Sequence, residues 1–242
     1  MKLTQSLSGK VILLIFSLFI ISFVPKLSEI ASGEDKCICA YDGYGYYLYL
    51  PHFFEKGDLN ITQEWAQKLQ NEYCDGVYAY QIVRTPQGKE LNTYHLGQAF
   101  IELPSYLVGD LFARMFGYKT DGFSKPYYIV FILNVLLFIF IGLLYLRKLL
   151  LIYLSEKMVA ITIIVLYLAS NIYTTFFLQY DLQHLFLFAL NSVFLYHTVQ
   201  FTRKQSRKHL LLSAIILGLT VAIRPTQVLL GLFPTILLLH SY

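Results

Sequence analysis

The feature that most constrains this chain is the segregation of its charges from its apolar runs. Residues 26–125 hold 13 of the 15 acids and 9 of the 19 bases. The remainder holds 10 bases and 2 acids and consists of apolar runs divided by short basic punctuation. The punctuation is Lys2 and Lys10, then Arg147, Lys148 and Lys157, then Arg203, Lys204, Arg207 and Lys208. Runs of this kind present no polar face to water and read as membrane segments. Charged residues are 14% of the chain, against about 25% in a soluble domain, and hydrophobic residues are 56%. That composition excludes an ordinary cytosolic globule, a disordered chain, a coiled coil and a disulfide-dense module.

Six segments are candidates to cross the bilayer: residues 11–24, 128–146, 158–177, 182–201, 210–223 and 226–239. A span needs roughly 20 apolar residues, with about 17 as the lower limit. The second, third and fourth segments meet that length; the first, fifth and sixth are short. Lys and Arg collect on cytoplasmic loops, so the basic N-terminus is placed inside and the sides alternate from there. Residues 26–125 then lie outside, and each basic cluster falls inside. Arg224 is the exception. The first segment reads as an uncleaved anchor, the alternative being a secretory signal with Ala31-Ser32-Gly33 as its cleavage site. Basic clusters with this placement are accounted for by topology and anionic lipid, so nucleic acid is not a partner.

The expected organisation is a membrane anchor at residues 1–25, an external loop at 26–126 and a membrane bundle at 127–242. A loop of that length is too long to be structureless. The aromatic run YYLYLPHFF at residues 46–54 predicts an interfacial helix. Thr62 can cap a helix running to Tyr73, with Glu64 near its positive end, although Asn60-Ile61-Thr62 also fits a glycosylation sequon. Leu96, Ala99, Phe100, Leu103, Leu107, Leu111 and Met115 recur at helical spacing. They predict a second surface helix, kinked or interrupted at Pro104. Three cysteines allow one bridge, for which Cys39 to Cys74 is a candidate with one thiol left over; free thiols are the alternative, and a metal is less favoured because no fourth ligand stands at a zinc-like spacing.

Asp42 lies among aromatic residues and two glycines, close after the first segment. A partly desolvated carboxylate there can have a raised pKa and accept a proton; Asp-Gly is also ordinary turn chemistry. Arg224 is an isolated cation in apolar surroundings, suited to a phosphate or to snorkelling. His184, at the outer end of the fourth segment, is a candidate for binding phosphate or acceptor. Asp58 is a candidate acid or a turn residue.

Four stretches, in order along the chain, resemble the C-type (GT-C) glycosyltransferases, and among them the bacterial protein O-mannosyltransferase-like enzymes. The run YDGYGYYLYLPHFFEKGDLN resembles "DGxGYYxYLPxLFxxGDL", and NTYHLGQAFIELPSYLVGDLF is similar to "NKYPxGxAxLxLPxFLxAH". QYDLQHLFLFAL resembles "MSHxYSFFLFAL", and LGLTVAIRPTQVLLGL is similar to "LGLxxLxRPTNxLxxL". Thr93 and His95 depart from the pattern, and residues 181–184 keep only its His. Family members run to about twice this length, so a fragment or half of a split enzyme is among the expectations.

The resemblance implies an all-α polytopic membrane protein, a GT-C-like helical bundle whose long external loop bears interfacial amphipathic helices. It implies sugar transfer from a polyprenyl-phosphate donor to a glycan, lipid or protein acceptor. The reaction would be an inverting displacement on the periplasmic face of a bacterial inner membrane, among membrane lipid. Asp42 would be the catalytic base, or would hold a divalent metal (Mg or Mn) in the members that use one. Arg224, His184 and Asp58 would bind substrate, with Arg224 balancing the leaving phosphate within reach of Asp42. The alternatives are a non-catalytic binding or transport protein for lipid-linked sugars and an inactive fragment.

Overall fold

A computed structural model describes residues 3–32, 37, 41–74 and 76–239. The chain is mostly helical and divides into two compact units. The first comprises residues 1–23, 135–180 and 184–242, the second residues 24–134 and 181–183. The helices are α1 (Leu7–Ser32), α2 (Tyr41–Tyr47), α3 (Tyr49–Lys56), α4 (Gln63–Tyr73), α5 (Gly97–Phe116), α6 (Lys125–Leu150), α7 (Glu156–Ala169), α8 (Ile172–Leu178), α9 (His184–Lys204), α10 (Arg207–Ile223) and α11 (Leu232–Leu239). Strands β1 (Ile82–Arg84) and β2 (Glu90–Asn92) form an antiparallel hairpin that pairs Val83 with Leu91.

Among the described residues, three helices are long and apolar enough to cross a membrane: Leu7–Ile30, Lys125–Leu150 and His184–Lys204. This corrects the expected lengths twice. The first apolar run is embedded in a 26-residue helix that takes in flanking polar residues and continues through Pro25. The third expected span is two helices. Ser170 ends α7; its hydroxyl bonds back to the Leu166 carbonyl and accepts the Ile172 amide at 3.3 Å. Serine and asparagine compete with the helix ladder in this way, so the pair Ser170-Asn171 divides an otherwise uniform apolar run. The sixth segment also departs from an α-helix, with a 3-10 turn over Pro225–Gly231 ahead of α11.

In the first unit, Phe16 of α1 meets Phe140 of α6 with ring centroids 4.8 Å apart, and Phe19 packs edge-on to Tyr167 of α7. Helices α6 and α9 approach closely at Gly142, where a Cβ would stand 2.5 Å from the Phe188 ring. One end of this unit is closed by Arg147. Its guanidinium donates to Ser8 Oγ at 2.6 Å, Ser6 Oγ at 2.9 Å and Glu156 Oε1 at 2.8 Å. Glu156 Oε2 in turn accepts from the Ser8 amide and hydroxyl. The start of α1, the end of α6 and the start of α7 therefore share one end, as the charge pattern requires.

The second unit is held by tyrosines. Tyr44 donates to the Ala66 carbonyl at 2.7 Å and Tyr47 to the Gly122 carbonyl at 2.5 Å. Phe123 packs against the rings of Tyr44, Tyr47 and Tyr73. Thr62 caps α4 as expected, accepting the Trp65 amide at 3.3 Å. Helix α5 is continuous through Pro104. The bridge joins Cys37 to Cys74, their Cα atoms 4.8 Å apart, which corrects the expected Cys39–Cys74 pairing. Spacing alone did not distinguish two cysteines separated by a single residue, and Cys39 lies outside the described residues. The hairpin departs from the all-α expectation. Its turn has Pro86 following Thr85, with Gly88 at φ +81° and its amide on the Thr85 carbonyl at 2.9 Å, an ordinary Pro-to-Gly turn.

Helix α5 is inverted relative to a soluble helix. Apart from Tyr106, its buried stripe is small or polar: Gln98, Ala99, Glu102, Ser105, Gly109 and Ala113. Its exposed stripe carries Phe100, Leu107, Leu111, Phe112, Met115 and Phe116, each 39–67% accessible. Beside it, Leu27, Ile30, Phe112, Phe116, Ile129 and Leu133 line an apolar cleft of about 600 Å³ to which Lys125 contributes.

Candidate functional site

Asp42 is the second residue of α2, directly after Tyr41, which adopts a left-handed backbone at φ +50°. That conformation is uncommon for a residue with a side chain and persists where neighbours enforce it. The buried Gln81 does so, donating its side-chain amide to the Tyr41 carbonyl at 2.5 Å. Gln81 is fixed in turn by its backbone carbonyl, which accepts from the Thr93 amide at 3.0 Å and hydroxyl at 3.1 Å. The base of the hairpin thus clamps the residue before Asp42. Asn92 completes the clamp by donating to the Gly45 carbonyl at 2.7 Å.

The carboxylate itself is gripped on one side only. Tyr80 and Tyr94 both donate their hydroxyls to Asp42 Oδ1, at 2.7 and 2.5 Å. Oδ2 meets no donor among the described residues. Burial, and then the adjacent Asp42 carboxylate, hold both phenols above the usual tyrosine range, so they remain donors at neutral pH. Asp42 is exposed, so the expectation of partial burial is corrected: the rings packed beside it hold its hydrogen bonds without covering it. Two fixed donors on one oxygen leave the other oriented and open, the arrangement that a proton acceptor needs.

A second carboxylate stands next to this segment. Gly43, immediately after Asp42, faces Asp181, and a Cβ at position 43 would lie 2.1 Å from Asp181 Oδ2. Only a glycine accommodates that approach. The Asp181 backbone carbonyl accepts from Gln98 Nε2 at 2.9 Å, and the same nitrogen donates to Glu102 Oε1 at 2.7 Å. Tyr80, Tyr94, Asp181, Gln98 and Glu102 were not candidates from sequence. The stripe of small and polar residues recurring at three and four positions along α5 was the signal that marked Gln98 and Glu102.

Asp58 sits in the turn after α3. Its carboxylate accepts the Asn60 amide at 2.8 Å and lies 3.6 Å from His52 Nδ1, the contacts of a turn residue. His184 and Arg224 belong to the first unit. Both are exposed. They lie close enough for their charges to interact, and Arg224 has no acidic partner among the described residues. His184 lines a cleft of about 430 Å³ together with Ser170, Asn171, Thr175 and Gln179. The break between α7 and α8 therefore brings polar groups to the end of α9. Asp42 and Asp58 belong to the second unit.

Among the described residues no three His, Cys, Asp or Glu side chains converge to hold a metal ion. Asp42 offers one open oxygen, so a metal there would draw the rest of its shell from substrate and water. Set beside known proteins, the chain matches no family model, no curated protein and no solved structure.

Proposed function

We propose that this chain is an integral membrane glycosyltransferase, or part of one, that moves a sugar from a polyprenyl-phosphate donor to an acceptor hydroxyl on the extracytoplasmic face. The observation that carries the reading is the half-engaged carboxylate of Asp42, with Oδ1 pinned by two tyrosine hydroxyls and Oδ2 open. In an inverting transfer the acceptor oxygen attacks the anomeric carbon as the sugar–phosphate bond breaks. Its proton passes to Asp42 Oδ2, and the phosphate departs with the bonding electrons. A positioned carboxylate contributes roughly 10²–10⁴-fold to such a step.

Three further features support the reading. Three helices have the length and hydropathy of membrane spans. The apolar stripe of α5 faces outward, as a helix lying in the membrane interface requires. The 600 Å³ apolar cleft with Lys125 in its lining suits a prenyl chain ending in a phosphate. Positive charge for the leaving phosphate is assigned to Arg224 by the sequence resemblance, and its lack of an acidic partner among the described residues fits that role.

The test is transfer from radiolabelled polyprenyl-phosphate mannose in membranes carrying the full chain. Asp42→Asn should lower label transfer by at least about 100-fold while membrane abundance is unchanged. Unaltered turnover by that variant removes Asp42 as the base. Donor binding without transfer by the native chain overturns the enzymatic reading in favour of a carrier.

A further inference from the structure

The proposed chemistry does not use Glu102, although this carboxyl group has no solvent exposure at all. Burial raises its pKa to about 8, with Asp181 pushing the same way, so it is uncharged at neutral pH. Its Oε2 has no hydrogen-bond partner among the described residues, and a negative charge there would be uncompensated by them. Its Oε1 accepts from Gln98, which is equally buried. A side-chain amide has two N–H donors. In Gln98 one serves Glu102 and the other the Asp181 carbonyl. Gln98 is one turn from Glu102 on the buried stripe of α5, so neither side chain can swing away without opening that face.

The consequence lies at Asp181. The carboxyl of Asp181, a loop residue shortly before α9, occupies the space where a Cβ of residue 43 would be. The hydrogen bond that Gln98 makes to its backbone ties this loop to α5. We propose that Gln98 and Glu102 are positioning residues that seat the Asp181 carboxylate against Gly43, and that Glu102 does this as the neutral acid. Its amide isostere would then serve equally well, whereas an apolar residue would release the Gln98 amide and with it the loop. The effect on sugar transfer rests on the reading of Asp42 as the base; the seating of Asp181 does not.

The experiment reads the two separately. With Cys39→Ser removing the third thiol, Asp181→Cys is introduced with Gly43 unchanged, and the rate of its alkylation by a maleimide is measured in membranes. Persistence of the native Cys37–Cys74 bridge reports that the unit has folded. Alkylation should be equally slow in this parent and in its Glu102→Gln derivative, and should rise at least about fivefold with Glu102→Leu or Gln98→Leu, as loss of one buried hydrogen bond implies. In the otherwise native chain Glu102→Leu should lower kcat by about tenfold with KM little changed, and Glu102→Gln should restore it. Equal alkylation rates in Glu102→Leu and the parent overturn the inference, as does a Glu102→Gln variant alkylated as fast as Glu102→Leu. If the alkylation rates behave as stated while the native chain transfers no sugar, the seating stands and the transferase reading falls.

Discussion

Two regions of the molecule grip a charged group with hydroxyls and reach opposite results. At the closed end of the first unit, Arg147 meets Ser6, Ser8 and Glu156, and the opposite charge of Glu156 neutralises it inside the contact. At the start of α2, Asp42 meets Tyr80 and Tyr94, both neutral, and both on one oxygen. The first arrangement spends the charge on joining three helix ends. The second fixes the orientation of a charge and leaves it available. The difference lies in what completes the cluster: a counter-ion makes a clasp, and an open oxygen leaves a carboxylate able to accept a proton.

The comparison is broken most severely at the clasp. Arg147→Leu leaves the Glu156 carboxylate without its cation and two serine hydroxyls without their donor. Removing one member of a partly buried pair costs about 3 kcal/mol, a fall of roughly 6–12 °C in melting temperature for a chain of this size. Thermal unfolding in detergent measures it. The transfer rate per folded molecule should stay near that of the native chain; a selective loss of rate with unchanged stability would make Arg147 a reagent as well.

A middle-sized effect is expected from pH. Burial raises the folded pKa of Glu102 from the ordinary 4.5 to about 8. The folded state holds a proton that the unfolded chain releases, so stability falls as pH rises from about 4.5 to about 8 and is flat beyond. Glu102→Gln removes this dependence. It should melt above the native chain at pH 9, with the difference vanishing near pH 4. An identical pH profile for both would show that Glu102 ionises freely.

The smallest effects belong to the two phenols. Tyr80→Phe or Tyr94→Phe removes one of two hydrogen bonds to Asp42 Oδ1, worth about 1 kcal/mol. Each should slow transfer about fivefold with little change in melting temperature. The double variant should cost less than the two together if the phenols act as a unit. A stability loss as large as that of Arg147→Leu would instead place them in the same class as the clasp.

Parts of this were legible without coordinates. The apolar runs at 128–146 and 182–201 are helices α6 and α9, because an uninterrupted apolar run of that length has no other way to satisfy its backbone. Thr62 marked the start of α4, since a capping hydroxyl acts within three residues. Asp42 stood out by its neighbours in sequence. The break at Ser170 was less visible, because its cause is one side chain competing with a helix that composition favours throughout.

Local chemistry, acting over one or two turns, determined where helices begin and run, which ends carry positive charge and which acid deserved testing. Only the tertiary structure decided which cysteine bridges to Cys74, which hydroxyls reach Asp42 from positions 80 and 94, and that Asp181 lies against Gly43. Those contacts join residues 37 to 138 positions apart. Their partners are chosen by packing, which excludes all but one arrangement of the intervening chain, and no periodicity or spacing in the sequence encodes that exclusion.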